Sequence, residues 1–508
     1  MVDNKIHQNN IRLIKNTSAM YCRTFIVMFV NLYITRMILR CLGAEDYGLY
    51  SVVGAIVVLF SFLNSSLAQA VQRFITVECG NGAQSSINKV FSLSLLVQLL
   101  IAFLLILFGE TIGLFLLYNY LNVPSDRFMA AVWVYQFSVI TTLINIIRVP
   151  YEAVVVANER MTFFATASVI DVFMKLAAVL LIPTIIGDSL IIYSGLLTIV
   201  TLLSFIIYWV YCRSRFSYCN FTFAWDSLLL KKMMSFSGWS LCGSITNLAT
   251  INGFAFLLNI FYGVVFNAAL GIANQVNGAV NQFISNFQTS FRPQIIKAYA
   301  SDQIDYFLKL TSVTSKFSYL LIFVPVMVLI INMPFILELW LGEPPLYTVA
   351  FCRLILVCCL FDGLTGSYFC AISATGNIKV YQILISISFI TDLILSGFLM
   401  WKSVTPEYIL FVRIATRGVV NMIIGLYLMK TQLSFNVGQY LNEVVMPLSV
   451  FSAVAVISCL IITFYVDAWK LLFISIVLLV FVTLLGLQFI LNESEKSNLK
   501  LIIKKIIK

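Results

Sequence analysis

Histidine is all but missing from this 508-residue chain, and its one copy, His7, lies in a polar stretch ahead of the first apolar run. Histidine-based acid–base catalysis and imidazole metal ligation are therefore excluded as organising chemistries. Charge is also scarce, at 11% of residues, against about 25% in an ordinary soluble domain. The eleven cysteines show no CxxC spacing, and Cys358 sits directly beside Cys359. They read as small packing residues, so neither a disulfide framework nor a metal site is expected. A Walker A pattern is missing too, which leaves no ATP site; no cofactor and no nucleic-acid partner is expected. What the chain has in excess is apolar surface, with 61% hydrophobic residues and a mean hydropathy of +0.97. No soluble core hides that much, and the composition is that of an all-α polytopic membrane protein.

Apolar runs between charges and turn residues predict about 14 transmembrane helices. They lie near 17–39, 48–70, 90–108, 128–148, 162–186, 189–211, 235–261, 268–291, 310–333, 350–372, 378–400, 407–429, 444–466 and 470–491. At roughly 20 residues per span, what remains is about 15 residues per connecting segment, too few for a folded extramembrane domain. That disfavours membrane enzymes built on large loops. The longest outside loops, around 109–127 and 333–349, carry only Glu110, Asp126, Glu338 and Glu343, and nothing there looks catalytic. No short apolar core with a small-residue cleavage site precedes the first span, so no cleavable signal peptide is expected.

Lys and Arg are distributed unevenly among the connecting segments. Alternate segments hold 22 of them, while the others hold only Arg40, Arg127, Lys402 and Lys470. The positive-inside rule then places both termini in the cytoplasm. The last ten residues, LKLIIKKIIK, set lysines at helical spacing against Leu and Ile and read as an interfacial helix on anionic membrane lipids.

Three local patterns recur at one offset. Gly43 and Gly263 end the first and seventh spans, Arg73 and Arg292 follow Gln-containing stretches, and Asn158 and Asn377 mark two further loops, 219 or 220 positions apart in each case. The offset predicts two six-helix lobes, 1–212 and 213–430, related by an axis along the membrane normal. Residues 431–508 form an extra two-helix hairpin and a basic tail.

Nine ionisable residues fall inside the predicted spans: Arg23, Arg36, Lys175, Arg353, Arg413, Arg417, Asp171, Asp362 and Asp392. Charge at that depth is expensive and marks a water-filled path or a partner. Asp171 and Lys175 are four apart and are expected to pair. Arg413 and Arg417 share a face, and Arg417 has the alternative of anchoring its helix at the interface. The basic excess favours anions, and Arg in particular grips phosphate through its planar fork of donors. Asp171, Asp362 and Asp392 are the intramembrane candidates for ion coupling. In the eighth span Asn274, Asn277, Asn281, Ser285 and Gln288 recur every three or four residues, widened by Gln275, Gln282 and Asn286. Such an amide stripe either binds neighbouring helices or lines a cavity; the cavity is favoured, and amides suit sugars.

Four segments carry a family resemblance: LRCLGAEDYGLYSVVGAIVVLFSFLNSSLAQAVQRF (39–74), RVPYEAVVVANERMTFFA (148–165), NAALGIANQVNGAVNQFISNFQTSFRPQIIKAYA (267–300) and ELWLGEPPLYTVAFCRLIL (338–356). They resemble the polysaccharide-biosynthesis branch of the multidrug/oligosaccharidyl-lipid/polysaccharide (MOP) exporter superfamily, in particular Wzx-type O-antigen and capsule repeat-unit flippases. The resemblance implies a V-shaped, MATE-like pair of lobes around a central cavity in a bacterial inner membrane. It implies a flippase that moves an undecaprenyl-pyrophosphate-linked oligosaccharide from the cytoplasmic to the periplasmic leaflet by alternating access, alongside polymerase or ligase machinery. By position, Arg23 and Arg36 best match the cationic residues that hold the headgroup in that family, followed by Lys175, Arg353 and Arg413. The last two spans resemble the extra pair in peptidoglycan lipid II flippases, where they help form a groove for the lipid tail. The alternative is a multidrug or cation antiporter of the same superfamily, which would need buried carboxylates that the first and seventh spans lack.

Overall fold

In lipid every backbone N–H and C=O must find its partner within the protein, so an apolar chain that spans the bilayer without closing a barrel forms helices. A computed structural model describes residues 2–58, 61–81, 84–119, 124–223, 225–463 and 468–490, and among these there is no strand. The helices are α1 (Val2–Val58), α2 (Ser61–Asn81), α3 (Gln84–Phe108), α4 (Phe128–Ala157), α5 (Met161–Leu181), α6 (Ser189–Arg215) and α7 (Ser227–Tyr262). After them come α8 (Val264–Ala300), α9 (Ile304–Leu341), α10 (Thr348–Thr375), α11 (Lys379–Trp401), α12 (Pro406–Leu433), α13 (Met446–Thr463) and α14 (Ala468–Ile490). Hydroxyls inside these helices donate back to the carbonyl one turn earlier, as Thr24 does to Met20 O at 2.8 Å and Thr311 to Phe307 O at 2.9 Å. Ser and Thr are thereby carried through apolar surroundings without an orphaned proton.

Eleven helices are long and apolar enough to cross a membrane among the described residues, so the expected count of fourteen is not established. The amide stripe keeps α8 below the necessary hydropathy, span 48–70 crosses residues 59 and 60, which are not described, and in α14 the qualifying apolar stretch is only Phe473–Thr483. The tail 499–508 lies outside the described residues.

Several helices run far past their apolar windows. With 38 residues α9 is about 57 Å long at 1.5 Å per residue, nearly twice the roughly 30 Å hydrocarbon core. Arg148 and Arg292, expected in loops, therefore lie inside α4 and α8, because Pro150 and Pro293 are carried within those helices instead of ending them. Lys316 likewise lies within α9 and is buried. Residues 109–119, expected as loop, continue helically through a π-turn at Gly109–Gly113, which the Tyr135 hydroxyl caps by donating to Gly109 O at 2.7 Å.

The chain divides into two compact units, with the division inside α7 between Leu241 and Cys242. The first runs over Lys15–Leu241. Its core is made by α3, α4, α5 and α6 with Ile34 and Ile38 of α1 and Val71 and Ile75 of α2, and one end is tied by Arg127, which reaches both Asp46 and Asp188. Asp188 is also the N-cap of α6, accepting from Leu190 N at 2.9 Å. The second unit takes Met1–Ile14 together with the chain from Cys242 onward, and α8, α9 and α10 form its centre. There α9 holds the segments after α12 through hydroxyl and amide pairs: Ser315 with Tyr440 at 2.7 Å, Tyr319 with Ser452 at 2.7 Å, and Asn332 with Ser475 at 2.9 Å.

Each unit contains the same backbone break. Gly43 has φ 79°, ψ 173° and Gly263 has φ 89°, ψ −173°, a region that essentially only glycine occupies. A Cβ at either position meets nothing within 4 Å, so any cost of substitution is conformational. Gly43→Ala and Gly263→Ala are each expected to destabilise by about 1–3 kcal/mol. Gly238→Ala, in the helical part of α7 with equally open space, should be neutral or stabilising by up to about 1 kcal/mol. Thermal unfolding of the three variants in detergent checks the contrast.

Candidate functional site

In the first unit, polar side chains from four helices converge. Arg23 comes from α1, Arg148 and Glu152 from α4, Asp171 and Lys175 from α5, and Ser204 and Tyr208 from α6. They line a cavity of about 250 Å³, with Asn31 and Phe164 completing the wall. Helical spacing accounts for two of its ion pairs: Lys175 Nζ lies 2.8 Å from Asp171 and Arg148 Nε 2.9 Å from Glu152, both one turn apart. Ser204 donates across to Asp171. The guanidinium of Arg23 lies over the Phe164 ring at 5.1 Å and that of Arg148 over Tyr208 at 5.7 Å, which offsets part of their desolvation. Three cations thus face two carboxylates, and the wall keeps a positive excess.

The second unit has its own cavity, of about 440 Å³. One wall is α8, whose Asn274, Asn277, Asn281 and Ser285 all line it. Opposite stand Asp362 of α10 and Arg413, Arg417 and Asn421 of α12, with Asn247 and Phe254 from α7. Behind this wall Asp392 of α11 is fully buried. It accepts from Arg413 Nε at 3.2 Å, Arg417 Nε at 3.0 Å and Thr416 Oγ1 at 2.8 Å. The two arginines also stack, Arg413 over Phe254 at 3.7 Å and Arg417 over Phe389 at 4.6 Å. Between them α12 loosens into a π-turn, Ile414–Val420, a distortion frequent at functional sites.

The remaining expected residues lie elsewhere. Arg36 is exposed on α1 and lines neither cavity. Arg353 donates from Nε to Ile330 O at 2.8 Å. That carbonyl is four residues before Pro334, which has no N–H to give it, so Arg353 fills a proline gap in α9. Gln275 and Gln282 are exposed and fall outside the lining, and Gln288 packs against Gly366. Arg417, given the choice of anchoring its helix at the interface, instead pairs with Asp392. Arg148, Glu152, Asn247 and Asn421 enter the walls without having been singled out from the sequence. The predicted span stops at Arg148, which hides the first two, and single asparagines on α7 and α12 give no periodic signal. No group of three or more His, Cys, Asp or Glu able to hold a metal occurs among the described residues.

Residues 13–299 match the family described as "Polysaccharide biosynthesis protein". No curated protein matches the sequence. Solved structures similar to the chain include a MATE protein in its bent conformation, 13% identical with a TM-score of 0.72, covering 84% of this chain and 97% of that one. Another is an outward-facing multidrug resistance MATE family transporter of the MOP superfamily, 11% identical with a TM-score of 0.70 and the same coverage. A third is a MOP superfamily transporter from Pyrococcus furiosus whose binding pocket is described as reversed in polarity, 12% identical with a TM-score of 0.69, again covering 84% and 97%. The fold is MATE-like.

Removing the buried carboxylate strands two guanidinium groups together. Asp392→Asn is expected to destabilise by about 3–5 kcal/mol, as loss of one member of a buried ion pair does. Asp171→Asn, whose ion-pair partner Lys175 has a side chain 40% exposed, should cost no more than about 1 kcal/mol. Denaturation midpoints of the two variants in detergent check the order, and equal shifts would contradict it.

Proposed function

The chain belongs to the polysaccharide biosynthesis protein family, and from that premise we propose that it is a flippase for an undecaprenyl-pyrophosphate-linked oligosaccharide. The cargo is an O-antigen or capsule repeat unit, carried from the cytoplasmic to the periplasmic leaflet of a bacterial inner membrane by alternating access and passed on to polymerase or ligase machinery. Both termini are then cytoplasmic, as the Lys and Arg asymmetry supports.

The observation that carries this reading is the first unit's cavity, where Arg23, Arg148 and Lys175 outnumber Glu152 and Asp171 within the span region. A positive excess there attracts a pyrophosphate, and arginine donors match its oxygens in pairs. The polyprenyl tail remains in lipid, so only the headgroup has to be desolvated. A multidrug or cation antiporter, the second reading, is supported by the likeness to MATE transporters. It needs a carboxylate open to an organic cation; Asp171 and Asp392 are each already held by basic side chains, and Asp362 shares its cavity wall with the cations Arg413 and Arg417.

Combined Arg23→Ala and Arg148→Ala substitution is expected to abolish surface glycan and to accumulate the undecaprenyl-linked unit on the cytoplasmic face, with the protein at its normal membrane level. Arg36→Ala should leave display intact. Accumulation is read by extracting glycolipid and probing its sidedness with a membrane-impermeant glycosidase. Normal display by the double variant overturns the reading.

A further inference from the structure

We propose that the connection between α6 and α7 anchors the first unit to an anionic membrane surface, with Phe221, Phe223 and Trp225 seated at the boundary between headgroups and acyl chains. These three side chains are 52%, 77% and 64% exposed. Their depth follows from what holds the connection to α3. Asn88 Nδ2 donates to Tyr218 O at 2.9 Å and to Asn220 O at 2.7 Å, and Ser92 Oγ accepts from Thr222 N at 3.1 Å. The Thr222 hydroxyl adds a bond to Asn88. Asn88 and Ser92 bracket Val90, where the apolar run of α3 begins directly after Lys89. Phe221 and Phe223, on either side of Thr222, are therefore carried at the level at which α3 enters hydrocarbon. Aromatic side chains are favoured at that depth, whereas in water the same rings would stand as an uncovered apolar patch.

The surrounding charges name the lipid. Arg213 and Arg215 end α6, Lys231 and Lys232 lie near the start of α7, and all four are exposed. The one carboxylate between them in sequence, Asp226, is taken up at the start of α7, its Oδ1 accepting from Leu229 N at 2.9 Å. Basic side chains beside apolar anchors draw anionic headgroups, while a zwitterionic surface offers them no net attraction. The connection begins and ends on helices long and apolar enough to cross a membrane, so a lipid surface lies within its reach, and a protein partner would have to displace it. All of these residues belong to the first unit, and no cargo is involved.

The test uses the full chain in nanodiscs of phosphatidylcholine, alone or mixed with phosphatidylglycerol. Quenching of Trp225 by brominated acyl chains is read as the difference between the wild type and Trp225→Phe. It should be present in both lipid mixtures, and stronger with bromines close to the headgroup than with bromines near the chain ends. Trypsin cleavage after Arg215 and Lys232 is referred to cleavage after Lys430, which is also exposed. Phosphatidylglycerol should slow it at least about five-fold, the effect of one cation near the surface. Phe221→Ser combined with Phe223→Ser should lose that protection while Lys430 is cut as before. Trp225→Phe keeps a ring, so the quenching arm stands apart from the folding of the serine variant. Absence of Trp225 quenching would put the patch in water, leave a protein partner as its occupant and overturn the proposal. Equal cleavage in the two lipid mixtures, or protection unchanged in the serine variant, would overturn it as well.

Discussion

A carboxylate with no access to solvent has to be neutralised where it stands, and in the second unit Asp392 sets that requirement. Moving an ion out of water costs several kcal/mol, recovered only through close opposite charge and well-made hydrogen bonds. Two guanidinium groups and a threonine hydroxyl supply both. Arg413, Thr416 and Arg417 all reach one carboxylate because positions three and four apart share a helix face, here in and beside the π-turn Ile414–Val420. The same stretch packs closely at Gly418, where a Cβ would lie 2.8 Å from the Phe361 ring. One buried charge thus gathers two arginines and a threonine beside the polar wall.

The first unit handles the same problem with less commitment. Asp171 lies 221 positions before Asp392 and likewise takes a hydroxyl from the following helix, here Ser204. Its cation is the partly exposed Lys175, one turn away on its own helix. A local pair of this kind is weak and easily exchanged, whereas the Asp392 cluster joins two helices around a carboxylate that water does not reach. The first cavity therefore has cations that a ligand can recruit. In the second, the charges are largely committed to one another, and the amides of α8 dominate the surface.

Much of this could be read from the residues in order. The membrane class follows from composition, and the Asp171–Lys175 pair follows from a spacing of four. The part of the amide stripe that faces the cavity is the part with helical periodicity: Asn274, Asn277, Asn281 and Ser285 line it, while Gln275 and Gln282, one position round the helix, do not. Charge used as a span boundary misled the reading of Arg148 and Arg292, whose helices run on through Pro150 and Pro293. In lipid a helix continues through proline because breaking it would expose still more backbone. Arg353 is the clearest case of a charge whose purpose is invisible in sequence, since its partner is a carbonyl left open by Pro334 on another helix. The triple contact at Asp392 depends on how α11 and α12 pack, which no local pattern contains.

The breaks at Gly43 and Gly263 bear on how such a protein can evolve. Every replacement of glycine adds a Cβ in a backbone region that other residues avoid, so these two positions have essentially no neighbouring sequence to drift into. Cavity walls made of Asn, Ser, Arg and Asp side chains carry no such restriction, because one polar group exchanges for another without moving the backbone. Variation is thereby channelled: the frame stays rigidly inherited while the lining is free to diversify, and one scaffold can follow a changing cargo without being rebuilt.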